Sequence, residues 1–387
     1  MRYIAKDIPL WQVTIWDKKF NNVDKKWQPK TIKYKYLLSD ELDSLRVDDG
    51  DVRILYTGKD VGFTTEELAG DRLSEGEIIS IPWGGIPTVK YHKGKFVTGD
   101  NRIATSKDIN KLTNKYLYYF MRGNIHEIAS YYRGASLKHP CMKDILKMTI
   151  SYPSVQEQDK ICGQFDVLEQ IIEVRKQELQ LLDDLIKARF VEMFNLSDCI
   201  YKSLGECTDF VDYRGHTPEL SDEGIIRMVN AKSVGKGFFK YVDEFVTEET
   251  YDAWMHRGFG YPGDILFVTE GHTFGNTCLI PEDMTKFALG QRVITIKGKE
   301  EIKNAFLCSY MQTDMFWKDI NVYRTGGTAQ GIRSKDLVKV MVPIPPIEQQ
   351  IEFVRFVHKV DKSKVAVQKA LDETQLLFDS LMQKYFG

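Results

Sequence analysis

The side chains with most to offer chemically are cations, amides and hydroxyls on glycine-punctuated loops. In the first half of the chain they are Lys90, Tyr91, His92, Lys93, Lys95, Asn101 and Arg102, then Arg133, Ser136, Lys138 and His139. In the second half they are His272, Thr273, Asn276, Gln291 and Arg292, then Arg324, Thr328, Gln330 and Arg333. Groups of these types bind rather than react. Lys and Arg hold anions, amides and hydroxyls hydrogen-bond flat polar edges, and glycine lets the backbone approach closely. Arg324, Gln330 and Arg333 form the densest group, three long polar chains around the small residues of RTGGTAQGIR. Trp83 is a further candidate in the first half, and plainer roles stay open: Asn101 and Gln291 as turn caps, the histidines as surface residues, Trp83 as core. Arg214, His216 and Arg257 are lesser candidates.

Groupings that make or break bonds do not stand out. There is no G-x-x-x-x-G-K-[ST] phosphate loop, no H-E-x-x-H and no Ser/His/Asp motif. Gly235-Lys236-Gly237 and Gly258-Phe259-Gly260 read as turns, and Asp183–Asp184 as a solvated face. Cys141, Cys162, Cys199, Cys207, Cys278 and Cys308 are scattered without a C-x-x-C pair or histidines in ligand spacing. They read as reduced thiols in a cytoplasmic protein without a zinc site. MRYIAKDIPLWQ lacks the apolar core of a signal peptide, and no apolar run approaches the roughly 18 residues of a membrane span.

The 387 residues suffice for two or three domains. A net charge of −2 is uninformative, but its distribution is not. Residues 37–77 hold 4 Lys/Arg against 12 Asp/Glu, whereas 83–147 hold 12 against 4 and 284–342 hold 10 against 5. The two basic blocks read either as solvated faces or as electrostatic footprints for a phosphate backbone.

Two long helices must position these loops. In 153–194 the apolar residues Ile161, Phe165, Leu168, Ile172, Leu179, Leu182, Ile186 and Met193 advance by steps of four and three, a coiled-coil seam interrupted by Arg175 and Arg189. Residues 345–386 lie over this stretch at an offset of 192, matching Pro345 to Pro153, Gln350 to Gln158 and Phe386 to Phe194. Their seam is Phe353, Val357, Val360, Val367, Leu371, Phe378, Leu381 and Tyr385. The spacing predicts two helices of one design, each able to bury its stripe on the other. Without the repeat, the heptads alone would equally describe a dimerisation coiled coil.

The segments ahead of the helices repeat as well. VTIWDKKF, DVRILYTG and GEIISIP read as strands, 83–105 as hairpins and loops, 110–122 as a helix, 131–140 as a loop and 143–152 as a strand. In the second half GDILFV answers GEIISI at an offset of 187, helix 301–313 answers 109–121, and loop 324–333 answers 132–141. Roughly the first 70 residues of the two globular parts do not align. The order is globular unit, long helix, globular unit, long helix.

With YPSVQEQ and RKQELQLLDDL in the first copy, and VPIPPIEQQ, LFDSLMQKYF, TGGTAQGI and GDILFV…GHTFGN in the second, the whole chain resembles the specificity (S) subunits of type I restriction–modification enzymes. The first copy departs in having GASLKHP where the second has GGTAQGI, and SYPS in place of a Pro-Pro pair. The resemblance implies an α+β chain with an internal pseudo-two-fold repeat. Two α/β target-recognition domains, 1–150 and 197–342, would be separated by two long antiparallel coiled-coil spacer helices, 151–196 and 343–387. It implies a non-catalytic reader of double-stranded DNA, one half of a bipartite site per domain, with the loop residues above meeting bases and phosphates.

Two methyltransferase (M) subunits and restriction (R) subunits would be the partners. S-adenosylmethionine, ATP and magnesium would belong to them, with no cofactor on this chain. Consistent with that division, no NPPY- or DPPF-like stretch occurs: Pro343-Ile344-Pro345-Pro346 lacks the flanking Asn/Asp and aromatic residue. The competing readings are a coiled-coil scaffold that binds protein, and a self-sufficient DNA methyltransferase or nuclease with an unrecognised motif.

Overall fold

The computed structural model describes residues 3–17, 31–58, 61–213, 217–325 and 330–387. The chain divides into two compact units, 1–175 with 370–387, and 176–369. The first long helix, Val155–Met193, begins in the first unit and ends in the second. The other, Ile347–Phe386, runs from the second unit into the first.

The strands of the first unit are β1 (Ala5–Pro9), β2 (Thr14–Trp16), β3 (Val52–Leu55), β4 (Val61–Thr64), β5 (Ser74–Pro82), β6 (Lys90–Thr98), β7 (Asn101–Ser106), β8 (Tyr132–Arg133), β9 (His139–Pro140) and β10 (Thr149–Tyr152). Six form one sheet in the order β2-β7-β5-β6-β3-β4. Only β3–β6 is parallel. Period-two alternation sends Ile54 and Val97 to one core cluster and Leu55, Phe96 and Ile103 to another. The antiparallel β5–β6 register sets Glu75 opposite Lys95 and Glu77 opposite Lys93. Lys93 pairs with Glu77 at 3.5 Å and Lys95 with Glu66. The acidic and basic blocks of the sequence therefore partly neutralise each other on facing strands.

A buried glutamine fastens this sheet to the first long helix. Gln158 accepts from the Thr113 N–H (2.9 Å) and donates to the Lys111 and Pro153 carbonyls (2.7 and 2.9 Å). Asn114, at the start of the helix Asn114–Gly123, accepts from the Ser106 N–H (2.6 Å) and donates to the Glu77 carbonyl (3.1 Å). Above the joint, Phe165 meets Tyr119, Phe378 and Phe386 at ring separations of 4.8, 5.2 and 5.8 Å. The Arg122 guanidinium lies 4.8 Å from the Phe378 ring. Residue 165 thus faces residues near 380, so the paired helices run antiparallel in this unit. Each such aromatic pair adds about 0.5–1.5 kcal/mol beyond its buried area.

The second unit repeats the construction. Its strands are β11 (Ile200–Ser203), β12 (Thr208–Asp212), β13 (Ile226–Val229), β14 (Phe245–Val246), β15 (Ile265–Val268), β16 (Thr277–Leu279), β17 (Phe287–Leu289), β18 (Val293–Gly298) and β19 (Met341–Ile344). Gln350 accepts from the Lys303 N–H (2.8 Å) and donates to the Glu301 and Pro345 carbonyls (3.0 and 2.8 Å). Asn304 accepts from the Gly298 N–H (2.6 Å) and donates to the Gly263 carbonyl (2.8 Å). Phe190 and Phe194 pack on Phe306 and Phe353 at 4.8–5.5 Å. Arg189 meets Glu352 at 3.3 Å and Lys364 meets Asp183 at 2.6 Å, again an antiparallel pairing. The seam position of Arg189 is thereby accommodated by an ion pair at the helix margin. The sheet differs from its counterpart in one respect. Where β6 is continuous and serves both β5 and β3, the second unit uses β16 beside β15 and β17 beside β13, giving sheets β12-β18-β15-β16 and β14-β13-β17.

Several expectations change. The two halves correspond from their first strands. Leu10 N–H donates to the Met148 carbonyl as Leu204 N–H does to Val340, and the Thr14 and Thr208 hydroxyls donate to the Leu10 and Leu204 carbonyls. Segment 143–152 is no single strand. A helical turn, Met142–Ile145, precedes β10, because the Leu146 and Met148 carbonyls are taken by Trp11 and Leu10. Residues 90–106, expected as hairpins and loops, contribute two long strands of the central sheet. Helix 301–313 shortens to Asn304–Tyr310, and Thr313 caps a further helix, Asp314–Ile320. Of the expected strand over 13–20, residues 14–16 are β2 and 18–20 lie outside the described residues.

Candidate nucleic-acid interface

In the second unit, three separate stretches converge. Thr325 and Gly331 exchange backbone hydrogen bonds of 2.8 and 3.0 Å. Residues 330–332 are tied to the segment after β15 by Gly271 N–H to the Gln330 carbonyl (3.0 Å) and Ile332 N–H to the Thr269 carbonyl (2.9 Å). Thr269 N–H donates in turn to the Arg292 carbonyl (2.8 Å). The result is a cleft lined by Thr269, Glu270, Gln291, Arg292, Thr325, Gly331, Ile332 and Arg333. Gln291, Arg292 and Arg333 therefore share one site, with Gln330 exposed beside it. Arg292 holds a left-handed backbone (φ 70°) and pairs with Glu270 at 2.9 Å. Such a backbone on a non-glycine residue costs on the order of 1 kcal/mol and concentrates at functional sites.

His272 is exposed on the adjoining turn and Thr273 is half-buried. Asn276 donates to the Val234 carbonyl (3.0 Å). Gly275 (φ 79°) has no alternative, since a Cβ there would fall 2.1 Å from the Trp317 ring. Arg324 is exposed and donates to Asn321 at 3.2 Å. Thr328, Arg214 and His216 lie outside the described residues.

The first unit builds the same cluster with other side chains. Strands β8 and β9 pair Arg133 with His139, and Gly85 N–H donates to the Lys138 carbonyl (3.3 Å), the counterpart of Gly271 and Gln330. Gly134 (φ 145°) makes the turn possible, since a Cβ would fall 2.2 Å from the Leu137 carbonyl oxygen. Ser136 and Lys138 are exposed on this loop, and Arg133 pairs with Asp144 at 2.7 Å. His139 Nδ1 donates to the Trp83 carbonyl (2.7 Å), and its ring lies 5.2 Å from the Trp83 ring. The apolar Leu137 and Ile86, 55% and 78% exposed on the same loops, were not among the sequence candidates. A search confined to polar types passes over them, although apolar contact with the thymine methyl is part of base readout.

Other candidates stand elsewhere. Asn101 and Arg102 are each 1% exposed, so in this conformation neither presents its side chain to a duplex. Asn101 donates to the Leu55 carbonyl (2.9 Å) and Thr98 hydroxyl (3.2 Å). Arg102 meets Asp17 at 3.1 Å and also Asp100, between the rings of Trp83 and Tyr36 at 4.8 and 5.3 Å. Along β6, Lys90 donates to the Tyr56 carbonyl (2.5 Å) and the Gly58 carbonyl, and Tyr91 donates to Glu77 (2.8 Å). His92 contacts the Lys95 carbonyl at 3.0 Å, and burial holds its pKa below the usual imidazole range. Lys93 and Lys95 join the ion pairs described above. These residues belong to the sheet and not to the loop cluster.

The interior offers little reactivity. Burial pushes the Cys162 and Cys308 thiols up to about 12 and Cys207 up to about 11, so they stay protonated and weakly nucleophilic. Among the described residues no group of three His, Cys, Asp or Glu could hold a metal ion, and no helix is long and apolar enough to cross a membrane.

The family model for the type I restriction modification DNA specificity domain matches residues 43–183 and 210–374. The specificity subunit of the Escherichia coli type I restriction enzyme EcoDI is 22% identical over 340 residues, 77% of this chain and 74% of its own length. The Escherichia coli EcoR124I/EcoR124II specificity subunit is 24% identical over 280 residues, 67% of this chain and 66% of its own. In fold the chain is similar to the crystal structure of the type I restriction-modification S subunit from M. genitalium. The TM-score is 0.61 at 17% identity, covering 99% of this chain and 96% of that one.

Proposed function

The chain belongs to the type I restriction modification DNA specificity domain family, and from that premise we propose that it reads a bipartite duplex site, one half with each globular domain. It is the non-catalytic member of a modification assembly. DNA and methyltransferase subunits are its partners, in our reading two M subunits, with R subunits joining for cleavage. S-adenosylmethionine, ATP and magnesium act on those subunits. The domains are 1–150 and 197–342 as readers, and 151–196 and 343–387 as spacers that fix the gap between half-sites.

The observation that carries this reading is the recurrence of one loop cluster in both units. Gly85 bonded to Lys138 and Gly271 bonded to Gln330 hold the same backbone frame under different side chains. A shared frame with exchanged side chains is what two readers of different sequences require, because phosphate contacts position a protein while base contacts specify. Exposed cations at each cluster, Arg133 and Lys138 in one and Arg292, Arg324 and Arg333 in the other, support contact with phosphates. Along the first long helix Val167, Ile171, Val174, Leu181 and Leu185 are 38–67% exposed at heptad spacing. This stripe suits helical partners, and we assign it to the methyltransferase subunits.

Two outcomes test the reading. Offered duplex DNA and S-adenosylmethionine, the purified chain alone transfers no methyl group, and turnover without partners would refute the division of labour. In the assembled enzyme, Arg333→Ala weakens duplex binding and lowers the slope of log affinity against log salt by about 1. Wild-type affinity and slope in that variant would remove Arg333 from the interface.

A further inference from the structure

One connection in the second unit is longer than its counterpart in the first. Between β13 and β14 the chain inserts residues 230–244, where β3 and β4 are joined by 56–60. Within the insertion, residues 233–240 fold back as a hairpin. Gly235 N–H donates to the Phe238 carbonyl (2.9 Å), Lys240 N–H donates to the Ser233 carbonyl (2.8 Å), and Val234 bridges Phe239. Lys236 and Gly237 form the tip, with Gly237 at φ 85°.

Two bonds anchor this hairpin to the turn that carries His272 and Thr273. Gly237 N–H donates to the Thr277 carbonyl (2.8 Å) and Asn276 Nδ2 to the Val234 carbonyl (3.0 Å). The hairpin is therefore continuous with the loop cluster already described.

Its two phenylalanines face opposite ways. Phe239 packs against the core, whereas Phe238 is 50% exposed. The Phe238 ring is held in place against Gly235, where a Cβ would lie 2.7–2.8 Å from three ring atoms. The Lys240 ammonium lies 5.4 Å from its centroid. Neither Lys236 nor Lys240 forms an ion pair among the described residues. The nearby cations Arg227, Lys232 and Lys286 are matched by Asp243, Glu244 and Glu248. A pre-set aromatic ring between two unmatched lysines suits a polyanion that also offers flat apolar surface.

We propose that the 233–240 hairpin is a DNA-contact finger particular to the second reader. Lys236 and Lys240 hold backbone phosphates, and the Phe238 ring supplies an apolar contact to a base within the groove. The proposal rests on the chain being a DNA reader.

The test uses the assembled enzyme on a duplex bearing both of its half-sites, with binding followed by fluorescence anisotropy across a salt series. Lys236→Ala and Lys240→Ala each lower the salt slope by about 1. Phe238→Ala weakens binding roughly tenfold with the slope unchanged, and Phe238→Leu falls between it and wild type. Lys236→Ala touches no contact of the ring and Lys240→Ala removes only the ammonium beside it, leaving the Gly235 packing in place, so the outcome does not depend on how Phe238→Ala folds. If wild type binds and the lysine variants match it in affinity and slope, the finger is refuted. So is it if those variants impair only capture of a methyltransferase subunit. If wild type itself fails to bind duplex, the underlying reading fails instead.

Discussion

Arg102→Met lowers the stability of the first unit by about 3–5 kcal/mol. Asp17, fully buried, receives hydrogen bonds from Arg102 Nη1 at 3.1 Å and from the Ile103 N–H at 2.8 Å. Methionine has comparable length and keeps much of the packing between Trp83 and Tyr36. It removes the positive charge beside the fully buried Asp17 carboxylate, which loses its ion pair with Arg102. Removing one partner of a buried pair costs far more than the pair contributes, because the remaining charge has given up its hydration. Denaturant unfolding of the full chain reads the effect, with the second unit as internal reference. An unchanged midpoint for the first unit would contradict the buried-pair account. A loss of duplex affinity without loss of stability would return Arg102 to the interface.

The second large effect concerns the spacer. Inserting one heptad into both long helices, after residue 175 in the first and after 369 in the second, where the two units divide, preserves the phase of the seam. Seven residues add about 10 Å at 1.5 Å per residue. With a rise near 3.4 Å per base pair, the gap between half-sites widens by up to about three base pairs. The half-site letters stay as they were, because no residue of either loop cluster changes. Modification-site mapping with the lengthened chain measures this. A gap that stays fixed would remove the spacing role from the helices, and altered half-site letters would show that the spacer and the readers are not separable.

How much of this was legible in the sequence depends on whether the signal is local. The heptads and the offset of 192 were visible because apolar seams leave a periodic trace. Gln158 and Gln350 could be paired by eye, and their matching hydrogen bonds are the reason both positions hold glutamine. The opening strands of the two halves could not be aligned because backbone groups carry their correspondence. Leu10 with Met148 and Leu204 with Val340 are joined through N–H and C=O, which any residue supplies.

Arg102 misled for a related reason. Its neighbours in sequence suggest an exposed turn, and its burial depends on Asp17, 85 residues away. The β6 lysines look like part of a basic block in sequence because their partners, Glu66 and Glu77, sit on other segments. Conversely, the glycines of Gly235-Lys236-Gly237 mark a turn in sequence, whereas nothing marks its neighbour Phe238. Nothing local tells an outward phenylalanine from the inward one that follows it.

The central claim is that one chain supplies two readers at a set separation. The most direct test is a genome-wide map of methylated adenines in cells carrying the methyltransferase partner, with and without this chain. The account predicts that methylation appears only with the chain, at a motif of two specific half-sites divided by a gap of constant length. Methylation that persists without the chain, or a motif that is continuous or has a variable gap, would contradict it.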